Sequence, residues 1–162
     1  MSRLTGKIAL VTGASKGIGA GIAKNLGAEG ATVVVNYATS REGADRTVVE
    51  IVKGGGQAWA VQGDFSKPEE LTRTFAEIEK KHGKLDVLVN NAGVAAFGPL
   101  ESVTAEEFHR QFNLNVLGLL LSTQAGVKLM GHGGSVINIG SPGGVDAVGV
   151  RVDLLGYEGR GE

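Results

Sequence analysis

Short apolar runs rich in branched residues alternate along this chain with stretches whose apolar positions recur every three or four residues. The runs fall at residues 7–11, 32–36, 57–62, 85–90 and 135–139. Each is short, carries no helical period, and reads as a strand. VVV at 33–35 and DVLV at 86–89 are almost unbroken, as strands covered on both faces are. Helical periodicity fills the gaps. One helix spans 17–29, and a second, polar-faced one spans 41–53 and stops at Gly54, Gly55 and Gly56. Ser66 reads as the cap of a third, with Pro68 in its first turn and Gly83 just past its last residue, His82. Thr104-Ala-Glu-Glu107 is a capping box, and the helix behind it is expected to run unbroken to about Met130. Strands and helices that alternate this strictly predict an α/β fold, a doubly wound parallel sheet with right-handed crossovers. Residues 148–162 show no clear period.

Composition narrows the function classes. The chain has 162 residues, 42% of them hydrophobic, which suits one domain with a real core. Net charge is −1 with no basic block, so nothing invites nucleic acid or an anionic membrane. There is no cysteine, which removes disulfides, thiolate metal sites and thiol nucleophiles. His82, His109 and His132 have no partner at metal spacing and read as surface residues, so no metal site is expected. Trp59 reads as packing. No apolar stretch is long enough to span a membrane, and residues 1–13 lead straight into the first strand without a cleavable signal. A cytoplasmic protein is the expectation.

The first strand runs into TGASKGIG, Thr12 to Gly19. Gly13, Gly17 and Gly19 leave the backbone bare just where a helix begins, the order of elements that offers free N–H groups to a phosphate. The spacing is G-x-x-x-G-x-G. It is not a nucleoside-triphosphate loop, because Lys16 precedes Gly17 rather than following a glycine ahead of Ser or Thr. The same residues also suit a plain tight corner between strand and helix. In a doubly wound sheet, ligands sit beyond the carboxyl ends of the strands. Those tips carry the glycine turn, Asn36 to Arg41, Gly63-Asp64-Phe65, Asn90-Asn91-Ala92-Gly93, and Gly140-Ser141.

Taken together these tips resemble the short-chain dehydrogenases/reductases, over residues 3 to about 147, and within them the oxoacyl-carrier-protein-reductase-like and sugar-dehydrogenase-like enzymes. The resemblance implies a Rossmann-type sheet of order 3-2-1-4-5, with 1–147 as the dinucleotide-binding domain and 148–162 as an aberrant tail. It implies a cofactor site at Gly13, Ser15, Lys16, Gly17, Ile18, Gly19, Asn36, Tyr37, Ser40, Asp64, Phe65, Asn91, Ala92 and Gly93. Asp64 is similar to the acid that holds the adenine amino group. Asn115 and Ser141 resemble the family's catalytic asparagine and serine. The implied activity is hydride transfer between a nicotinamide cofactor and a small-molecule carbonyl or secondary alcohol. NADP is expected over NAD, because the second strand ends in Asn36-Tyr37 with no acid to hold a ribose 2′-hydroxyl, while Lys16, Ser40 and Arg41 can face a phosphate. Family members are usually homo-oligomers.

The family's acid/base is a tyrosine followed four residues later by a lysine. No Tyr-x-x-x-Lys follows Ser141, and four positions after Tyr157 stands Gly161. The chain is therefore expected to be a truncated member, weak or inactive, with a non-catalytic NADP(H)-binding protein or an inert fragment as the alternatives. Residues 153–161 can be back-translated with permitted codons and shifted by one base to read Thr-Tyr-Ser-Ala-Thr-Lys-Gly-Ala. The shifted tyrosine codon starts within that of Leu154, thirteen positions after Ser141. A frame-shifted read from about residue 148 is the resulting expectation, and the gene's nucleotide sequence decides it.

Overall fold

The computed structural model describes residues 2–140. Ser141, Tyr157 and the aperiodic tail lie outside them. Five parallel strands form one sheet in the order β3-β2-β1-β4-β5, as expected. The strands are β1 (Ile8–Val11), β2 (Thr32–Tyr37), β3 (Gln57–Gln62), β4 (Val87–Asn90) and β5 (Ser135–Asn138). Register is continuous through the centre, where Leu10 lies level with Val34 on one side and Leu88 on the other.

The two-residue alternation of the strands splits the core in two. Ala9, Val11, Val33, Val35 and Val89 face α1 (Gly17–Ala28) and α2 (Arg41–Lys53). Ile8, Leu10, Val34 and Leu88 face α3 (Pro68–His82) and α5 (Leu119–Leu129). Both faces of β1 and β2 are thus apolar, which is why their sequences lack the polar alternation of a one-sided strand. Away from the sheet, the outer face of α1 stays open. A groove of about 640 Å³ passes Ile18, Gly21, Ile22 and Asn25 there.

Three local expectations change. Ser66 does not cap α3: Lys67 holds that position and makes no capping bond, while the Ser66 hydroxyl donates to Asp64 Oδ1 at 2.7 Å. The Ser66 oxygen makes no capping bond to the helix, while its hydroxyl and its own N–H both donate to the charged Asp64 carboxylate. The long helix from Thr104 is interrupted. Thr104 does cap α4 (Ala105–Phe112), accepting from the Glu107 N–H, but Asn113–Gly118 forms a wider π turn before α5 begins. Finally, His82 is no free surface residue. Its Nε2 accepts from the Trp59 indole N–H at 3.0 Å, and the Lys81 ammonium lies 4.0 Å from the same indole ring. Burial first, then the Lys81 charge, lowers the His82 pKa from its ordinary value.

Candidate functional site

The site grows from the end of β1. Thr12 is buried there, and its hydroxyl does three jobs. It donates to the Val89 carbonyl and accepts from the N–H groups of Asn91 and Ala92, both at 2.9 Å. This binds the tip of β4 to the start of the glycine turn. Asn91 returns the contact, its Nδ2 donating to the carbonyls of Thr12 and Gly13. Gly13 sits at φ +62°, open to glycine and costly to others. Gly19 is needed for a different reason: a Cβ there would collide with Asn91 Nδ2 and the Gly13 carbonyl.

The turn delivers α1 with a bare N-terminus. No side chain caps it, no acid lies in its first turn, and its Ncap residue is Lys16. The first helical bond runs from the Ala20 N–H to the Lys16 carbonyl, so the N–H groups of Gly17, Ile18 and Gly19 precede the ladder. A Cβ at Gly17 would meet nothing within 4 Å. The helix thus points unpaired donors into open space, with its favourable field for an anion.

The tips of β2 and β3 close on the same point. Asn36 is 2% exposed. Its Oδ1 accepts from the Gly13 N–H, and its Nδ2 donates to the Gly63 carbonyl at 3.0 Å and reaches the Val61 carbonyl. One amide therefore pins three strand ends. Asp64 follows, with Oδ1 accepting from the Ser66 N–H and hydroxyl, and with Oδ2 3.9 Å from Lys67 Nζ. Beneath it, Glu70 accepts from the Asp64 N–H at 2.8 Å, from Gln62 Nε2 and from Lys67 Nζ. These bonds, led by the Asp64 N–H, hold its pKa down to about 2.

Asn115 sits in the π turn and clasps the backbone beyond β4. Its Oδ1 accepts from the Val94 N–H at 2.9 Å and its Nδ2 donates to the Val94 carbonyl at 2.7 Å. Such turns are frequent at functional sites. Asn90 performs the matching task lower down. It accepts from the Ser122 hydroxyl and donates to Thr123 Oγ1 and Asn138 Oδ1, joining β4 to α5 and β5.

The structure thus gathers Gly13, Gly17, Ile18, Gly19, Asn91 and Ala92 at the mouth of α1, with Gly93 close to Asn115. Lys16 and Ser40 are exposed beside it, and Ser15 is half-buried. Gly43 abuts both the Ser15 carbonyl and the Ser40 hydroxyl, so the two turns touch. The side chains of Asn36, Tyr37 and Phe65 are buried: that of Asn36 is bonded to Gly13 and Gly63, and the other two lie on opposite faces of the sheet. Tyr37 lies in the α1–α2 core and Phe65 packs against Phe75, 6.0 Å between ring centroids. Sequence reasoning passed over Thr12, Gln62 and Glu70. A hydroxyl ahead of the glycine turn was the one available signal; the other two look like ordinary polar residues. Among the described residues no three His, Cys, Asp or Glu side chains gather for a metal, and no helix is long and apolar enough to cross a membrane.

Comparison with known proteins places this geometry. An uncharacterized oxidoreductase of Methylorubrum extorquens is 55% identical over 141 residues, covering 87% of this chain and 57% of that protein. Versicolorin reductase 1 of Aspergillus parasiticus is 47% identical over 135 residues, covering 83% and 52%. A short chain dehydrogenase of Burkholderia cenocepacia, solved in complex with NADP, superposes with a TM-score of 0.85 at 39% identity, over 90% of this chain and 60% of that one. The chain spans a little over half the length of the relatives it matches. The sequence profile of short chain dehydrogenases matches residues 7–152, from the start of β1 past every tip described above. The chain belongs to the short chain dehydrogenase family.

Proposed function

We propose that this chain binds NADP(H) across the tips of β1 to β4, and that it descends from an oxidoreductase that interconverts a small-molecule carbonyl and a secondary alcohol. The observation that carries the reading is the mouth of α1. Its open space at Gly17, its uncapped N–H groups and its freedom from acids fit a pyrophosphate. The adenosine end fits as well. Asn36 and Tyr37 are buried, so the groups that reach solvent after β2 are Ala38, Thr39, Ser40 and Arg41, with Lys16 exposed on the neighbouring turn. None of these is an acid, which favours a ribose carrying a 2′-phosphate. Asp64 stands ready for the adenine amino group.

When bound, NADP(H) supplies or accepts a hydride. The chain's own residues arrange the rest. Asn115 fixes the Val94 backbone at the substrate side of the crevice, a positioning role, since both ends of its amide are already engaged. By analogy with the family's catalytic serine, Ser141 is the residue proposed to polarise the substrate oxygen. Proton delivery has no Tyr-x-x-x-Lys behind it in this sequence, so turnover by this chain is expected to be weak or absent. NADP(H) binding without turnover is the second reading, favoured by that same gap. Residues 148–162 are read as a shifted frame, and gene codons that do not spell Tyr-x-x-x-Lys in the alternate frame would end that idea.

Titration with NADPH and NADH, followed by nicotinamide fluorescence, tests the reading. NADPH is expected to bind at least tenfold more tightly, and Lys16→Ala to remove most of that difference. Tighter NADH binding, or an unchanged NADPH affinity in Lys16→Ala, overturns it.

A further inference from the structure

The two walls that would enclose the adenosine end come from different connections: the turn after β2, residues 38–41, and the turn after β3, which carries Asp64. One side chain joins them. Gln62, the last residue of β3, lies level with Tyr37 in the sheet register. Its Nε2 donates twice, to the Ala38 carbonyl on the first wall and to Glu70 Oε2, both at 3.1 Å. Glu70 Oε2 in turn accepts from the Asp64 N–H at 2.8 Å on the second wall. Gln62 Oε1 accepts from Arg73 Nη2 at 2.6 Å, and the same Nη2 donates to the Gln62 carbonyl. Every polar atom of the amide is therefore engaged. Its orientation is also fixed, because exchanging O and N would set oxygen against two acceptors and nitrogen against a guanidinium.

We propose that Gln62 is a positioning residue that sets the spacing between the 38–41 turn and Asp64, and through it the preference for a 2′-phosphorylated adenosine. The inference rests on the NADP(H) reading above. A 2′-phosphate needs hydroxyl and backbone donors of the first wall held in place while adenine lies against the second. If the tether is cut, the Ala38 carbonyl loses its donor, the exposed turn is freed, and the cost of ordering it returns on binding. A cofactor without the 2′-phosphate asks less of that wall. Nicotinamide mononucleotide, which lacks adenosine, asks nothing of it.

The test uses the full chain, with Gln62→Met, Gln62→Glu and Arg73→Met. Methionine keeps the volume and removes all the bonds. Glutamate can still accept from Arg73 but cannot donate to Ala38, and it faces the Glu70 carboxylate. Affinities are measured for NADPH, NADH, 2′,5′-ADP and reduced nicotinamide mononucleotide, with thermal melts to establish folding. Gln62→Met is expected to weaken NADPH and 2′,5′-ADP on the order of tenfold. NADH should change much less and the mononucleotide not at all. Gln62→Glu should be worse than Gln62→Met. Arg73→Met leaves the tether whole and only loosens its far end, so it should give a two- to threefold loss in the same direction. A partly unfolded variant lowers all four binding amplitudes together and leaves the ratio of affinities unchanged, so an unchanged ratio in Gln62→Met or Arg73→Met overturns the proposal. If the parent chain binds neither NADPH nor 2′,5′-ADP, the NADP(H) reading fails and the proposal falls with it. If the parent binds both and the variants keep its ratio, the proposal alone falls.

Discussion

Strands β2 and β5 belong to one sheet but live in different surroundings. Val33, Val34 and Val35 in β2 are 0% exposed, with helices on both faces and a strand on each side. In β5, Ile137 is 45% exposed and the outer edge has no neighbour among the described residues. The helices do not repeat the contrast: Ile18 on α1 and Val52 on α2 are 69% and 54% exposed, much as Leu120 on α5 is at 58%. On the proposed reading, the phosphate and adenosine end of the cofactor lies on the β1–β3 side of the sheet, the closed flank, and the substrate side begins on the open flank, at Asn115, Val94 and the end of β5. That reading makes binding and turnover separable, and the contrast can be tested from either side.

The largest expected effect concerns turnover. If the closed flank works alone, the chain binds NADPH yet reduces ketones and oxoacyl thioesters at background rate. General acid–base catalysis is worth roughly 10²–10⁴-fold, so the rate should fall at least that far below a relative that carries Tyr-x-x-x-Lys. NADPH oxidation followed at 340 nm on a panel of such substrates measures it. Full-strength turnover would break the comparison, because another group such as Tyr157 would have to supply the proton.

Next come paired substitutions, one on each flank. Leu10 is 0% exposed at the centre of the sheet, and Leu10→Ala should cost about 2–5 kcal/mol of stability. Ile137→Lys, on the open strand, should cost little and should reduce self-association, because a charged edge resists pairing with another chain. Denaturant unfolding and sedimentation measure the two effects. Equal destabilisation by both substitutions, or a parent chain that is monomeric and binds no dye for apolar surface, would show the open flank to be as finished as the closed one.

The smallest effect is pH-dependent and belongs to the outer strand of the closed flank. His82 has a folded-state pKa below its ordinary 6.5, chiefly through burial. The neutral ring accepts the Trp59 bond, so this contribution to stability is whole above pH 6.5. It is lost as pH falls through the lower folded value. Trp59 is the one tryptophan in the chain, and its emission should shift across that window. The shift should vanish in His82→Gln. A flat emission profile in the parent chain from pH 7.5 to 5 would remove the contact from the account.

How much of this was legible in the sequence depended on range. The strands themselves, the glycine turn, the Thr104 cap and the stop at Gly83 all come from neighbours a few residues apart, where composition and spacing speak directly, whereas the strand order came from the family resemblance. Gly83 does adopt the left-handed conformation at φ +69°. The failures are long-range or competitive. Ser66 has the residue type of a cap, but its hydroxyl and N–H both turn to the Asp64 carboxylate, a choice that residue type alone does not show. The side-chain partners of Asn36, Gly13 and Gly63, lie 23 and 27 residues away, beyond the reach of local spacing. The break in the helix near Asn115 was invisible for a similar reason. The apolar period continues through it, and the Val94 backbone that it holds lies 21 residues upstream.

That π turn has a consequence for the angular phase of the helix behind it. A π turn carries a residue more than an α-helical path would use, and each α-helical residue turns the chain by about 100°. Were all six residues Asn113–Gly118 wound as α-helix instead, the extra residue would become rotation, and α5 would emerge turned by roughly that angle. Ser122 and Thr123, which now both meet Asn90, would swing off β4. Leu120 and Leu121 would exchange outward and inward settings. The extra residue is thus a phase-setting insertion, and the azimuth of everything from Leu119 to Leu129 is measured from it.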